Sequence, residues 1–476
     1  MLICLNDLFA CLGLAQTRKL LTNFSKNSFY LLPEPLRLGE FLTNYCNNGI
    51  SDKSFMKTID NHNVKIFTDN IEDAAMEQIK RLLSVDAFKD CKIRIMPDVH
   101  AGAGCVIGFT GNLGNKVIPN IVGVDIGCGI AVQPFVCFND IDYHSFNEYI
   151  IKNIPYGRDY RNGDYNPLPQ AYMKKYAEAK QLVTELRCYR DLKEVQRLYK
   201  SIGSLGGGNH FIEIDKNENG IYYLVVHTGS RNLGKQVAMI YQKLAVKCRS
   251  GWDELIREKN RIIEEYKSAG RKSELRDVVT KLHSSFRMKK SSIPDDLCYL
   301  EDEFRDDYLH DMRICQRWAQ LNREVITGIL YDFLVCNGYA KTIEKQVYFE
   351  SIHNYIGDDN IIRKGAISAR SGEKCIIPLN MRDGSLICIG RGNEDWNFSA
   401  PHGAGRIMSR KQAFNYISLN DFVSSMAGIY SETVSEETKD ESPMAYKPKD
   451  EIIINIENTV EIINTIKPVF NFKAAE

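Results

Sequence analysis

The sequence predicts an α/β chain, because short apolar strands alternate with amphipathic helices and polar residues collect in glycine-rich turns at strand ends. KIRIM (92–96) alternates basic and apolar residues as a half-buried strand does, and it runs directly into PDVHAGAG. YYLVV (222–226) does the same ahead of HTGSRNLG. Hydrophobic residues at 44% and charged residues at 26% are those of an ordinary globular protein, which excludes disordered and collagen-like classes. At 476 residues the chain has room for two or three average domains or for one large α/β domain.

Lys+Arg and Asp+Glu both number 61, so no global basic field draws in nucleic acid, and any such partner must be held by a local patch. The fourteen cysteines are scattered without a CxxC pair, a pattern that suits packing residues and a few ligands in a reducing compartment. The start, MLICLNDLFACLGLA, has no positive charge ahead of its apolar run, is interrupted by Asp7, and is too short to span a bilayer. It reads as an amphipathic or buried helix, so no membrane is expected and a cytoplasmic location is.

Taken in order, residues 1–55 show none of the later glycine-rich turns and read as a separate N-terminal appendage. From Met56 a fresh start is predicted: a strand near Val64 to Phe67, then a helix capped by Asn70, with Glu72 and Asp73 in its first turn and Ala75, Ile79 and Leu82 as its apolar face. Asp98 and His100 stand two apart at the end of the next strand, a spacing that aims both side chains the same way. VGVDIGCG (122–129) follows a second strand-like run; its glycines permit a sharp reversal that presents Asp125 and Cys128 at one point.

Residues 142–199 read as loop and charged helix, with YGRDYRNGDY (156–165) as a surface loop. SIGSLGGGNHFIEI (201–214) sets three glycines before Asn209 and His210, close-approach chemistry for a phosphate, yet without the Lys-Ser/Thr ending of a P-loop. His227 ends the strand that follows, with Ser230 and Arg231 in a turn. The 249–290 stretch is highly charged, and Leu255, Ile256, Ile262, Ile263 and Tyr266 share one helical face, which predicts a helical insertion with a return helix over 308–333. His353 and Asn354 follow the strand QVYFE, and CIIPLNMRDGSLICIGRG is strand, polar turn and strand. SAPHGAGRIMSR places His402 in a glycine-bounded turn expected to open a helix carrying Arg406 and Arg410, where dipole and free amides would hold a phosphate beside the ring. An acidic loop, a helix and a strand ending at Lys473 close the chain.

Five of the nine histidines (100, 210, 227, 353 and 402) sit beside Gly, Asn or Pro at strand ends or in turns. With Asp98, Asp125 and Cys128 they supply enough imidazole, carboxylate and thiolate for one or two divalent transition ions, with a histidine to spare. From the residues alone the reading stops at metal-dependent phosphoryl or nucleotidyl chemistry.

The succession PDVHAGAGCVIG, GVDIGCG, GGGNHFIE, HTGSRNLG, HNY, RKGA, SAPHGAGR and ESPMAYK resembles, in this order, the RtcB family of RNA ligases, its bacterial members in particular. That resemblance covers 56–476 and implies a single large α/β (α+β) catalytic domain of mixed sheets and flanking helices, with a helical insertion and return helix over 249–315. It implies an enzyme that uses GTP and two Mn²⁺ ions to join RNA ending in a 2′,3′-cyclic phosphate or 3′-phosphate to RNA beginning with a 5′-hydroxyl, in RNA repair or in splicing of tRNA. On it, Asp125, Cys128 and His210 would hold one ion, and His227 and His353, sharing the Cys128 thiolate, the second. His402 would be the nucleophile that carries GMP, with the RNA 3′-end guanylylated next, and Asp98 the carboxylate that helps orient the metal shell. Guanylate contacts are expected from Asn209, His210, Phe211, Ile212 and Glu213, from His353 and Asn354, from Pro378, Leu379, Asn380 and Met381 with Ser385, from His402, Gly403, Ala404 and Gly405, and from Lys473. The sequence departs from many relatives at PLNMRDGS and after Lys473. A monomer is expected, and an accessory activating protein stays open. A metal-dependent RNA phosphodiesterase or cyclic phosphatase is the alternative; it needs the ions but no histidine nucleophile.

Overall fold

A computed structural model describes residues 57–59, 62–163, 166–343 and 347–474, so the 1–55 appendage and its expected helix lie outside the described residues. Two short strands, β1 (Lys57–Thr58) and β2 (Val64–Ile66), lead into helix α1 (Asp73–Leu83), which buries Ala75, Ile79 and Leu82 as their spacing requires. Its N-cap is Glu72 and not Asn70; the Glu72 carboxylate makes no cap bond and accepts instead from the Ala101 amide. Strands β3 (Ile93–His100) and β4 (Ile107–Gly111) follow, then Pro119 opens the single-turn helix α2 (Pro119–Val122), where a missing N–H costs nothing.

After β5 (Gly129–Cys137) come α3 (Tyr143–Asn153), capped by the Asp142 carboxylate on the Ser145 amide, α4 (Met173–Glu185) and α5 (Val195–Lys200). Within the loop between α3 and α4, Arg161 is buried, contrary to the surface-loop expectation: its guanidinium donates to the Ile202 and Gly203 carbonyls. Strands β6 (Phe211–Lys216) and β7 (Ile221–Thr228) form a hairpin. Where a turn was expected, helix α6 (Arg231–Arg249) begins; its apolar positions Leu233, Val237, Tyr241 and Ala245 fall on one buried face. Helices α7 (Trp252–Ser268) and α8 (Leu275–Ser285) occupy the charged stretch, and α9 (Asp302–Cys336) starts six residues before the predicted return helix.

The remaining strands are β8 (Ala340–Thr342), β9 (Phe349–Ile352), β10 (Tyr355–Ile356), β11 (Ile362–Lys364), β12 (Ala366–Ser368), β13 (Lys374–Asn380), β14 (Gly384–Gly390) and β15 (Ser399–Pro401). Helices α10 (Arg410–Tyr416), α11 (Leu419–Ser425) and α12 (Lys449–Ile456) precede the long strand β16 (Val460–Lys473). One large sheet runs β1-β2-β3-β4-β11-β10 and the other β13-β14-β16-β6-β7-β5-β8, with β9 also paired to β5, while β12 and β15 form a third, two-stranded sheet. Among the described strands only β2 and β3 pair in parallel, so the architecture is α+β with one mixed sheet and two antiparallel ones. The chain crosses from one sheet to the other between β9 and β10, at His353 and Asn354. The side chains of α9 that face inward, Tyr308, Met312, Trp318, Val325 and Ile329, join the main core against the antiparallel sheet.

Candidate metal centre and nucleotide cavity

Strand register explains why distant residues meet. In the antiparallel sheet Phe211 pairs with His227, and His227 with Ile130, while Gly129 pairs with Ile352. His210, at the start of β6, His227, near the end of β7, Cys128, just before β5, and His353, just after β9, therefore stand at one end of four neighbouring strands. The Asp125 turn joins them because Gly123 (φ 98°) and Gly127 (φ 69°) adopt left-handed conformations that side-chained residues resist. Gly229 packs so tightly against this turn that a Cβ there would come within 2.2 Å of the Asp125 carboxylate.

The donor atoms face one another. Cys128 Sγ lies 3.4 Å from His210 Nε2 and 3.3 Å from His227 Nε2. His227 Nε2 is 3.4 Å from His353 Nε2, and His210 Nε2 is 3.1 Å from Asp125 Oδ2. Burial, together with the charge of His210, pushes the His227 imidazole well below its usual range; burial, with the charges of His402 and His227, does the same to His353. Both rings are thus neutral. His227 Nδ1 lies 3.0 Å from the Asn209 carbonyl and must carry the proton to donate there, which leaves the Nε2 lone pair pointing into the cluster. Burial and the Asp125 charge raise the Cys128 thiol. Burial also raises Asp125, but hydrogen bonding and charge from His210, with Cys128 and His227 adding to them, outweigh it and hold this carboxyl below the usual range. Buried sulfur, imidazole and carboxylate donors directed at one another suit a cation, which would displace the protons they share. Cys128, His210 and His227 alone offer three ligand atoms within 4.8 Å of one another, and the mixture of sulfur, imidazole and carboxylate fits divalent transition ions.

His402 joins the group from the other side, its ring centroid 4.9 Å from that of His353. Its Nδ1 is 2.7 Å from Oδ2 of the fully buried Asp98, an arrangement that fixes the tautomer and leaves Nε2 as the free nitrogen. The other oxygen of Asp98 has no partner. No helix opens at His402; it follows β15, and the next helix, α10, begins at Arg410 with Ser409 as its cap. The expected helix-dipole support for a phosphate at this ring is therefore absent. His100 does not share Asp98's role either: a register shift between Ile95 and His100 breaks the alternation, and the ring donates back to the Asp98 carbonyl at 2.8 Å. Burial lowers His100 to about 4, against that bond and the Asp98 charge, so it is neutral.

A cavity of about 710 Å³ opens beside these rings, within the size range of small-molecule sites. Asn209, Phe211, Glu213, His227, His353, Pro378, Leu379, Asn380, Met381, His402, Gly403, Ala404, Gly405 and Lys473, all named from the sequence, line it. Cys128, Asp125 and His210 are not part of the lining but meet its His227 through the donor cluster. Ile212 does not contribute a side chain, because β6 alternates and turns it to the opposite face, into the main core. Asn354 (φ 62°) is engaged in the framework: its amide bonds the Asp125 carbonyl and accepts from the Gly365 amide. Ser385 sits behind the lining at 1% exposure, its hydroxyl without a partner.

Several contributors were not singled out from the sequence. The acidic loop is solvated only in part: Glu432, Glu436 and Glu437 are exposed, whereas Asp440 and Glu441 are buried. Its Glu441 is buried between Lys473 at 2.7 Å, Arg410 at 3.1 Å and Arg406 at 3.3 Å, and accepts from the Tyr446 hydroxyl at 2.5 Å. Although burial opposes it, the charges of Lys473, Arg410 and Arg406 hold Glu441 below the usual carboxylate range. Tyr446 lines the cavity together with Arg406 and Arg410, which were named from the sequence. Asn322 and Arg323 of α9 bind the ligand-bearing turns from behind: Asn322 accepts from the Gly203 amide, and Arg323 donates to the carbonyls of Gly127 and Thr228 and pairs with Glu350 at 2.8 Å. A legible signal existed, since NR interrupts the apolar face of the helix in WAQLNREVI.

The family profile described as "tRNA-splicing ligase RtcB" matches residues 78–474. The chain is 30% identical over 439 residues to the "RNA-splicing ligase RtcB" of Escherichia coli (strain K12), covering 87% of this chain and 97% of that protein. It is 25% identical to the "tRNA-splicing ligase RtcB" of Nanoarchaeum equitans (75% and 83% covered) and 23% identical to "RNA-splicing ligase RtcB homolog 1" of Entamoeba dispar (79% and 78%).

Proposed function

The chain belongs to the RtcB family of RNA-splicing ligases, and we propose that it is a GTP- and Mn²⁺-dependent ligase joining RNA 2′,3′-cyclic phosphate or 3′-phosphate ends to 5′-hydroxyl ends. The observation that carries this reading is the Asp98–His402 pair poised over a cluster of lone-pair donors at the floor of a nucleotide-sized cavity. A phosphodiesterase would use the cluster but has no need of an imidazole oriented by a buried carboxylate.

On this proposal Asp125, Cys128, His210, His227 and His353 would together hold the two ions. Bound there, the ions would neutralise phosphate charge and align the attack. The chain's own residues do the rest. Asp98 keeps the proton of His402 on Nδ1, so that Nε2 attacks the α-phosphate of GTP, expels pyrophosphate and carries the guanylyl group. The RNA 3′-phosphate then takes that group, and the 5′-hydroxyl attacks the activated end and releases GMP. On this reading Asn209, Phe211, Glu213, Lys473 and the 378–381 turn, which line the cavity, receive the nucleoside, and Arg406, Arg410 and Lys473 on the same lining meet its phosphates. The cysteines of the described residues are free, which fits a reducing cytoplasm, and no described helix is long and apolar enough to cross a membrane.

Intact-mass measurement after incubation with GTP and Mn²⁺ tests this directly. One added guanylate per chain is expected, lost in His402→Ala and in Asp98→Asn at least tenfold slower to form, by roughly the weight of a misoriented base. RNA cleavage or dephosphorylation without any adduct would favour the phosphodiesterase.

A further inference from the structure

Among the described residues the neutral chain holds a concentrated cationic stretch that the reaction centre does not use. Residues 271–290, RKSELRDVVTKLHSSFRMKK, carry seven Lys and Arg against two acidic residues. They form the second half of a helical arm. Helix α8 turns Leu275, Val278, Val279 and Leu282 towards α7 and buries no residue completely. The arm closes at its base, where the Lys289 amide donates to the Ser250 carbonyl at 3.0 Å. The first helix of the arm is different: α7 carries five acidic residues against four basic ones and pairs both of its arginines, Arg257 with Asp253 and Arg261 with Glu258 and Glu265. In 271–290 only Arg271 is paired, with Glu274. Lys272, Arg276, Lys281, Arg287, Lys289 and Lys290 are all exposed and have no ion pair among the described residues.

Six unpaired like charges along about 16 Å of helix and its flanks repel one another, which disfavours the arm alone and favours a polyanion against it. The arm also has a fixed place. Its base stands at the end of α6, whose first residue, Arg231, adjoins Gly206 next to His210. Nineteen helical residues put it roughly 28 Å along α6 from the reaction centre. A substrate held only by its reacting ends cannot reach so far, whereas the body of a folded RNA can.

We propose that the 271–290 face of this arm is a docking surface for the phosphate backbone of the RNA substrate, engaging it remote from the ends being joined. This rests on the RNA-ligase reading above and adds a second, sequence-independent contact that distinguishes long structured substrates from short ones. It also supplies the local patch that a chain with equal numbers of acidic and basic residues requires.

The test compares the intact protein with a Lys281→Gln/Arg287→Gln/Lys289→Gln/Lys290→Gln variant, on a nicked stem-loop RNA long enough to reach the arm and on a pair of short oligonucleotides that end before it. Binding to the stem-loop is followed as a function of salt. The variant is expected to bind it at least about tenfold more weakly at low salt, with the slope of log K against log salt reduced by about three, at ~0.7 per lost phosphate contact. Ligation of the short pair stays as in the parent. Unchanged stem-loop affinity and salt slope in a variant with a parental melting curve overturn the proposal and leave the arm to an acidic protein partner. Should the fourfold variant not fold, Lys272→Gln/Arg276→Gln, at the exposed tip, reads the same slope. If the parent binds RNA with the expected slope but joins no ends, it is the ligase reading that fails and not the docking surface.

Discussion

Glu213 faces the cavity from β6 at 4% exposure, where its carboxylate accepts from the Asn471 amide at 2.6 Å. Burial pushes it up to about 7, although that bond and the Lys473 charge pull the other way. The consequence for stability has a definite sign. An unfolded Glu ionises near pH ~4.3, so between there and pH 7 the unfolded state gains an ionised form that the folded state resists. Stability therefore falls as pH rises through this window and stays lower above it. Glu213→Gln keeps the acceptor for Asn471 and removes the penalty. In ligand-free protein its melting temperature should match the parent at pH 4 and exceed it at pH 8; an equal difference at both values would show that the carboxyl is not held neutral.

Helix α9 decides whether the turns that carry Cys128, His210 and His227 stay together. Arg323 is 0% exposed and its planar fork reaches the Gly127 and Thr228 carbonyls and Glu350 at once, an arrangement that no ammonium or apolar side chain reproduces. Asn322 beside it holds Gly203, Ser204 and Gly229, the segments that precede His210 and follow His227. Arg323→Met leaves Glu350 and two carbonyls without their partner. The expected cost is about 3–5 kcal/mol by denaturant titration, accompanied by a lower content of bound metal in the purified protein. An unmoved denaturation midpoint with full metal content would mean that the turns are self-supporting.

At the scale of the molecule, β16 is the strand that makes one sheet of two parts. It pairs along its first half with β14 and along its second with β6, shifting partners through register irregularities near Ile387 and Pro468. Through it the β13–β14 hairpin, whose turn residues 378–381 line the cavity, is fastened to the strands that carry His210 and His227. Val460, Ile466, Phe470 and Phe472 are buried along its length. Deleting residues 460–476 opens two sheet edges and removes these side chains. Loss of cooperative unfolding and of soluble yield is expected, and a truncated chain that melts cooperatively would contradict this account of the sheet.

The local chemistry of the chain was written in its sequence. Glycines at 123 and 127 announced left-handed turns, the strand-end positions of His210, His227 and His353 followed from alternation, and helices α1, α7 and α9 followed from apolar spacing, because each depends on residues within a few positions of one another. What depends on pairing across hundreds of residues was decided only by the fold. Sequence could not say that Asp98 would orient His402, that β6 would turn Ile212 away from the cavity its neighbours line, or that Glu441 of the acidic loop would be buried as the counter-ion of Lys473. Those outcomes come from strand register and layer packing, in which a one-residue slip inverts every side chain, and no local signal carries that information.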